Sequence, residues 1–263
     1  MRIIVVAGKS GAGKQPRIEA LVSEFKLVQL STGNIFREYL GLLKKSNFSI
    51  KLTSFWDEKK KDFLPDSEMK KILEDNGFKE KLNDFILGIK AKFYIEAGKF
   101  VPDKITNDLF QAYFKRYNFE GVILDGYPRT KEQSKFLLQL LNENQKQIAF
   151  IMIVENDDAT IIQRITGRRI CSKDGAVYHV KYKPPKDGKY CMVCGAEVIQ
   201  RSDDNEENIK TRLKEYQEKT IPAIEFLKSK GIPIISVPGN LPVFTEEKVK
   251  ESVMGALKPL LED

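Results

Sequence analysis

The chain has 263 residues, 41% hydrophobic and 31% charged, with three cysteines and a formal charge of +7 that suits nucleic acid, a membrane surface or a polyanionic small molecule. At roughly 100–200 residues per domain this allows one large or two small domains with a proper core, and it excludes collagen-like, coiled-coil, disordered and disulfide-dense classes. The longest wholly apolar run, Ile148 to Val154, is far short of the roughly 18 residues of a membrane span, and the N-terminus lacks a signal-peptide layout, so a cytoplasmic protein with no membrane partner is expected.

In chain order, Ile3 to Ala7 reads as a buried strand, followed by a Gly-rich turn and a helix from about Pro16, with Ile18, Leu21 and Phe25 at helical spacing. Further buried strands are predicted at Gly121–Asp125, Ile148–Val154 and Ile232–Val237, with helices at Lys131–Leu141 and Asn205–Ser229 between them. Apolar strands alternating with helices predict an α/β fold, a mostly parallel sheet covered on both faces. Two stretches break the pattern and read as insertions. Residues 43–84 carry ten lysines and nine acids and hold the sole tryptophan, Trp56; residues 168–204 hold all three cysteines and the Pro184-Pro185 pair.

Residues 8–14, Gly-Lys-Ser-Gly-Ala-Gly-Lys, match Gly-x4-Gly-Lys between a strand and a helix. Glycines let backbone N–H groups curl round phosphate oxygens, the helix N-terminus adds positive dipole, and Lys14 supplies a point charge. Asp125 ends a buried strand, at the edge where open α/β sheets bind ligands, and is followed by Gly126-Tyr127-Pro128-Arg129-Thr130. An acid there suits the water shell of Mg²⁺, and the arginine suits a phosphate clamp.

These residues resemble adenylate kinase, of the form with a long, metal-stapled lid. The likeness runs nearly end to end apart from residues 43–84. It is carried by GKSGAGK, STGNIFR (31–37), LGIKAKFYIEAGKFVPD (87–103), DGYPRTKEQ (125–133), QRITGRR (163–169), the cysteine segment and QRSDDNEENIKTRL (200–213). The resemblance implies Mg-dependent phosphoryl transfer between ATP and AMP, giving two ADP, on a P-loop NTPase-like parallel sheet. On the ATP side it implies Gly8, Lys9, Ser10, Gly11, Ala12, Gly13, Lys14 and Gln15, with Arg164, Arg168 and the backbone of Gly239. On the AMP side it implies Thr32, Gly33, Arg37, Gly98, Val101, Gly126, Arg129, Gln133, Arg201 and Arg212, with Thr32 and Gln133 reading the adenine. Lys14, Asp125, Arg129, Arg164, Arg168, Arg201 and Arg212 would carry the catalysis, by positioning and charge neutralisation. Relatives that prefer pyrimidine monophosphates tend to carry a small apolar residue in place of Thr32 and Asn in place of Thr130, so AMP is the expected acceptor. Six of the ten arginines thus fall on phosphate sites.

Cys171-x2-Asp174 and Cys191-x2-Cys194 are separated by sixteen residues, a zinc-ribbon spacing with one carboxylate, and three sulfurs with one oxygen suit structural Zn²⁺. In the lid type of the family an Asp sometimes takes one ligand position; holding the second position, as Asp174 does, is a departure. His179 reads as a packing or lid-surface residue. The resemblance implies a core (1–31, 98–167 and 205–263), an AMP-binding lobe (32–97, with the insertion at about 43–84) and a lid (168–204). A monomer is expected, with the insertion either a helical enlargement of the AMP lobe, carrying Ile72, Phe78, Leu82 and Phe85 as its apolar stripe, or a partner surface built around Phe55 and Trp56.

Gln15-Pro16 departs from the family's Gly-Thr. A proline in the first helical turn is comfortable but donates no N–H, and one hydrogen bond to a charged group is worth about 1.5–3 kcal/mol, or about 10–150-fold in affinity or rate. A slower kinase, a nucleotide-binding protein of reduced activity and a kinase for another nucleoside monophosphate are the alternatives. A zinc-knuckle nucleic-acid binder is the rival of another class; it would leave the phosphate loop and DGYPRT without a role, so no nucleic-acid partner is expected.

Overall fold

The computed structural model describes residues 2–97, 99–201 and 204–261. Its centre is a five-stranded, wholly parallel sheet built from β1 (Ile3–Ala7), β2 (Val28–Ser31), β5 (Val122–Asp125), β6 (Phe150–Glu155) and β10 (Ile234–Pro238), in the order β10-β6-β1-β5-β2. Side chains alternate between faces along each strand, so β1 sends Ile3 and Val5 to one core and Ile4 and Val6 to the other. The first core is closed by α5 (Asp103–Phe114), α6 (Lys131–Glu143) and α9 (Ile221–Lys228), through Leu109, Phe110, Leu137 and Leu227. The second is closed by α1 (Lys14–Phe25), α7 (Asp158–Thr166), α8 (Glu206–Glu215) and α10 (Glu246–Leu261), through Leu21, Ile161, Ile209 and Val253. Both faces are therefore covered, which is why the inner strands read as continuous apolar runs.

One strand was not expected. The strand β2 lies outside the four predicted ones: it is an edge strand of mixed polarity, Val-Gln-Leu-Ser, with only Leu30 buried. The helix expected over 205–229 is present: α8, a wider π-helical turn at Tyr216–Thr220 and α9 follow one another without a break over 206–228. Pro222 accounts for the widening, since it cannot donate to the carbonyl four residues back.

Residues 43–84 add elements beside α2 (Thr32–Lys45): the short hairpin β3 (Trp56–Asp57) and β4 (Asp62–Phe63), then α3 (Asp66–Asp75) and the start of α4 (Leu82–Glu96). They bury a cluster of their own, with Leu43, Phe55, Met69, Leu73, Phe85, Ile86 and Ile89 inside and Ile72, Phe78 and Leu82 packed against it. Phe55 is wholly buried and Trp56 stacks on Phe93 at 4.6 Å. Phe55 lies in the core of the insertion, while Trp56 is half-buried and stacked on Phe93 at its side. Residues 168–204 carry a three-stranded antiparallel sheet of β7 (Arg168–Cys171), β8 (Val177–His179) and β9 (Val198–Ile199), in the order β8-β7-β9. Among the described residues no helix is long and apolar enough to cross a membrane.

Candidate active site

The site forms where the parallel strands end. Val6 lies opposite Asp125 and Asp125 opposite Ser31, so the loops after β1, β5 and β2 open on one edge of the sheet. After β1 the chain turns through the glycine loop into α1, with Gly13 as a left-handed N-cap that leaves first-turn N–H groups for an anion. Lys14 Nζ donates to Gly8 O at 2.9 Å and Lys9 O at 3.1 Å, so the ammonium lies folded across the loop. Burial lowers its pKa, Asp125 raises it and Arg129 lowers it, which puts these three groups in one another's field.

Asp125 is held from the side. Gln29 Nε2 donates to its Oδ2 at 3.0 Å, and Gln29 exchanges two amide hydrogen bonds with Gln15, each of 3.1 Å. Thus the Gln15 that replaces the family's glycine is tied through Gln29 to the carboxylate suited to Mg²⁺.

On the other side of Asp125, Thr32 opens α2 and its hydroxyl donates to Gly126 O at 3.2 Å; Arg129 Nε donates to the same carbonyl at 2.9 Å. Arg37 folds back on Asn34, with its guanidinium close enough to Gly33 that an added Cβ there would meet it at 3.4 Å. Gln133 is buried, donates to Asp103 Oδ1 at 2.7 Å and accepts the Arg129 backbone N–H at 2.7 Å; Thr130 donates to Asp103 Oδ2 at 2.7 Å and caps α6. Val101 packs against the first core. Gly98 lies outside the described residues. Loss of water inside the cleft holds the Arg129 guanidinium below its ordinary range, with Asp125 and Glu215 pulling it up and Arg212 pushing it down, so Arg212 shares the same field.

Arg164 reaches from α7 to Gly239 O at 3.0 Å and Asn240 Oδ1 at 2.7 Å. Gly239 sits hard against the phosphate loop: a Cβ there would fall 1.9 Å from Ala12 O and 2.8 Å from Glu155 O, so only glycine fits. Arg168 is instead committed to Asp204, which is fully buried and accepts from Nε at 2.8 Å and Nη2 at 2.6 Å; the Asp204 N–H donates to Arg201 O at 3.0 Å. Lys14, Asp125 and Arg129 therefore share one electrostatic neighbourhood, which Arg212 joins through Arg129; Thr32 and Arg129 meet on Gly126 O, Gln133 holds the Arg129 N–H, and Arg164 holds Gly239. Arg168 and Arg201 stand at the root of the 168–204 segment. Sequence reasoning assigned no role to Gln29, Asp103, Asp204 or Arg17, all of which hold members of this set. Asp103 and Asp204 lay inside quoted stretches, but Gln29 and Arg17 carried no motif signal.

The cysteine segment forms two matching turns, Cys171-x2-Asp174-Gly175-Ala176 and Cys191-x2-Cys194-Gly195-Ala196. In each, the glycine N–H donates to the first cysteine's carbonyl at 3.0 Å, and the cysteine N–H donates to the alanine carbonyl, at 2.9 and 2.8 Å. Asp174 thus occupies the place that Cys194 holds in the other turn. The four ligand atoms lie within 4.8 Å of one another, with the Sγ atoms of Cys171 and Cys194 3.4 Å apart and Cys191 Sγ 3.1 Å from Asp174 Oδ2. Tetrahedral thiolates on Zn²⁺ stand about 3.8 Å apart, so the set fits a small divalent cation. Hydrogen bonds from the thiols, Cys194 foremost, hold the Asp174 carboxyl well below the usual carboxylate range, and the same bond pushes the Cys194 thiol up to about 12. His179 stays outside the set and accepts the N–H groups of Lys181 and Tyr182 on its Nδ1, at 3.0 and 3.2 Å.

A family model described as adenylate kinase matches residues 79–232. The adenylate kinase of Clostridium kluyveri is 31% identical over 255 residues, covering 97% of this chain and 98% of its own. That of Caldicellulosiruptor bescii is 32% identical over 261 residues, 99% of each chain, and that of Clostridium beijerinckii is 34% identical over 230 residues, 87% of this chain and 88% of its own.

Proposed function

The chain belongs to the adenylate kinase family and is a nucleoside monophosphate kinase, an ATP:AMP phosphotransferase, and from that premise we propose which of its residues do the work. The observation that carries the assignment is the convergence of Lys14, Asp125, Arg129 and Arg212 at the ends of β1 and β5, with the glycine loop on one side and Thr32, Gly126 and Gln133 on the other.

The ATP phosphates lie on the loop of Gly8, Lys9, Ser10, Gly11, Ala12, Gly13, Lys14 and Gln15, where free N–H groups and the Lys14 ammonium meet them. The donor base lies toward Arg164 and Gly239. AMP enters beside α2, with its phosphate on Arg37 and Arg129 and its base toward Thr32 and Gln133, which fixes the acceptor oxygen opposite the donor's terminal phosphorus. Arg129 and Arg212 bear on the transferring group, joined by Arg168 and Arg201 as residues 168–204 fold over the cleft. Arginine suits this work because it stays charged and forks onto two phosphate oxygens. The protein forms no covalent bond; it aligns two polyanions, excludes water and supplies fixed positive charge. Asp125 offers the hard carboxylate oxygen that Mg²⁺ favours, mostly through water, and Mg²⁺ when bound offsets charge on the polyphosphate.

The 168–204 segment acts as a lid and residues 32–97 as the AMP lobe, both moving on the core of 1–31, 98–167 and 205–263; the lobe has its own apolar cluster, and the few buried residues of 168–204 gather round the cysteines, which supports this division. Cys171, Asp174, Cys191 and Cys194 hold a zinc ion whose role is to staple a segment too small for a core of its own. The reading is tested by ADP formation from ATP against a panel of nucleoside monophosphates, with Lys14→Met as control. ADP formation that prefers AMP and requires Lys14 is expected; turnover indifferent to Lys14, or a preference for another base, overturns the corresponding part.

A further inference from the structure

Arg17 is fully buried, although it carries a charge and stands in the first turn of α1. Arginine is almost never fully buried unless paired. Among the described residues no carboxylate forms an ion pair with it. Nη1 donates to Gly13 O at 3.2 Å and Nη2 to Pro238 O at 2.7 Å, while Nε is buried without a partner. The charged group that acts on it has the same sign: burial first, and then Arg164, push its pKa down. An added Cβ on Gly13 would meet Arg17 Nη1 at 3.3 Å and Arg164 Nη1 at 3.4 Å, so the two guanidinium groups flank the last glycine of the phosphate loop. Phe244, 55% exposed, lies with its ring centroid 5.5 Å from the Arg17 guanidinium carbon.

Two carbonyl oxygens only partly replace the water that a guanidinium gives up, and a second guanidinium beside it adds repulsion. The fold therefore holds positive charge under the phosphate loop that it does not itself neutralise. The carbonyls chosen are also informative. Gly13 belongs to the phosphate loop and Pro238 ends β10, one residue before Gly239, so a single side chain ties the phosphate end of the donor site to its base end.

We propose that Arg17 is a positioning residue for the donor nucleotide, fixing the phosphate loop against the 238–244 loop and supplying buried positive charge that the polyphosphate of ATP neutralises. Being wholly buried, it acts through Gly13, Pro238 and its field and touches no substrate. The inference rests on the reading that residues 8–15 hold the ATP phosphates.

The test compares wild type, Arg17→Met, Arg17→Lys and Lys14→Met in the full chain. ATP binding is measured alone by calorimetry, KM is measured separately for ATP and AMP, and unfolding is followed without nucleotide. For Arg17→Met, ATP affinity is expected to fall about tenfold, the size of one lost charged contact, while the KM for AMP stays within about twofold. Nucleotide-free stability is expected to hold or rise, because an unneutralised buried charge is gone. Arg17→Lys, which keeps the charge but not the fork, is expected to fall between Met and wild type. Unchanged ATP affinity in Arg17→Met, or an equal loss for both nucleotides with a lower melting temperature, overturns the proposal. If Arg17→Met does not fold, Arg17→Lys decides, since wild-type ATP affinity there overturns the tie. Wild-type ATP binding by Lys14→Met would instead overturn the reading of the phosphate loop itself.

Discussion

Pro16 is the sharpest place to test the donor site. It stands third in α1, after the Gly13 cap, so the anion-facing first turn has N–H groups at 13, 14 and 15 and none at 16. Pro16→Ala restores that donor. Position 16 is the third residue of a helix capped at Gly13 and so has no intrahelical carbonyl to meet, which leaves the new N–H for the nucleotide. One added hydrogen bond to a phosphate oxygen is worth about 1.5–3 kcal/mol, which lowers the KM for ATP about 10–150-fold. Removing a proline from a compatible position costs about 0.4–1 kcal/mol through the freer unfolded chain. The two effects therefore have opposite signs: tighter ATP and a slightly lower melting temperature in the same variant. Steady-state kinetics with ATP varied at saturating AMP, beside a thermal melt, separates them. A lower melting temperature with an unchanged KM for ATP would refute the argument, because the loop would then make no use of a donor at position 16.

Three other outcomes are expected. Gln29→Ala frees one side of Asp125, and the Mg²⁺ concentration for half-maximal turnover should rise about fivefold, the worth of one net hydrogen bond, with the KM for AMP unmoved; an unchanged Mg²⁺ curve means Gln29 does not orient the carboxylate. By metal analysis, Cys191→Ser and Asp174→Ala should lose bound zinc while Asp174→Cys retains it, because Asp174 stands where Cys194 stands in the matching turn; full zinc retention by Asp174→Ala removes the carboxylate from the ligand set. Phe55→Ala empties the centre of the insertion at a cost of about 3–5 kcal/mol. The emission of Trp56, the sole tryptophan, stacked on Phe93, should shift below the global melt, and unchanged emission throughout would place the cluster outside any separately melting unit.

The inner sheet was legible because a strand buried on both faces must be apolar throughout, as Ile3–Ala7 is and as β6 is up to its last residue, Glu155. The edge strand Val28–Ser31 escaped because it is paired on one side only and carries Gln29 where an inner strand would have a hydrophobe. The phosphate loop and the two cysteine turns were legible because their chemistry is set by residues close in sequence. What holds the site members in place was not. Gln29 and Asp125 are 96 residues apart, and Arg168 and Asp204 36, and nothing local to either residue announces the pairing. Pro222 was visible but its consequence was missed, since a proline can end a helix, bend it or widen one turn, and packing of α9 on the sheet selects the last.

Five cations of the proposed site share one condition: each rests on an oxygen of the protein itself. Lys14 lies on Gly8 O and Lys9 O, Arg129 on Gly126 O, Arg164 on Gly239 O and Asn240, Arg168 on Asp204 and Arg37 on Asn34. On the proposed assignment a nucleotide phosphate displaces or shares these oxygens, so its binding free energy is a difference between two sets of charge-assisted contacts. The difference is smallest where the internal partner is strongest. Arg168, forked onto a buried carboxylate, gives up the most on leaving and is the least ready to follow a phosphate. Arg129, on a single neutral carbonyl with Arg212 beside it, gives up little and gains much. Under the proposed lid reading, substrate binding should therefore recruit Lys14 and Arg129 first and leave Arg168 on Asp204 until the 168–204 segment closes with a partner of comparable charge. On those proposed roles, the ordering follows from which oxygen each cation already holds, with Asp204 restraining Arg168.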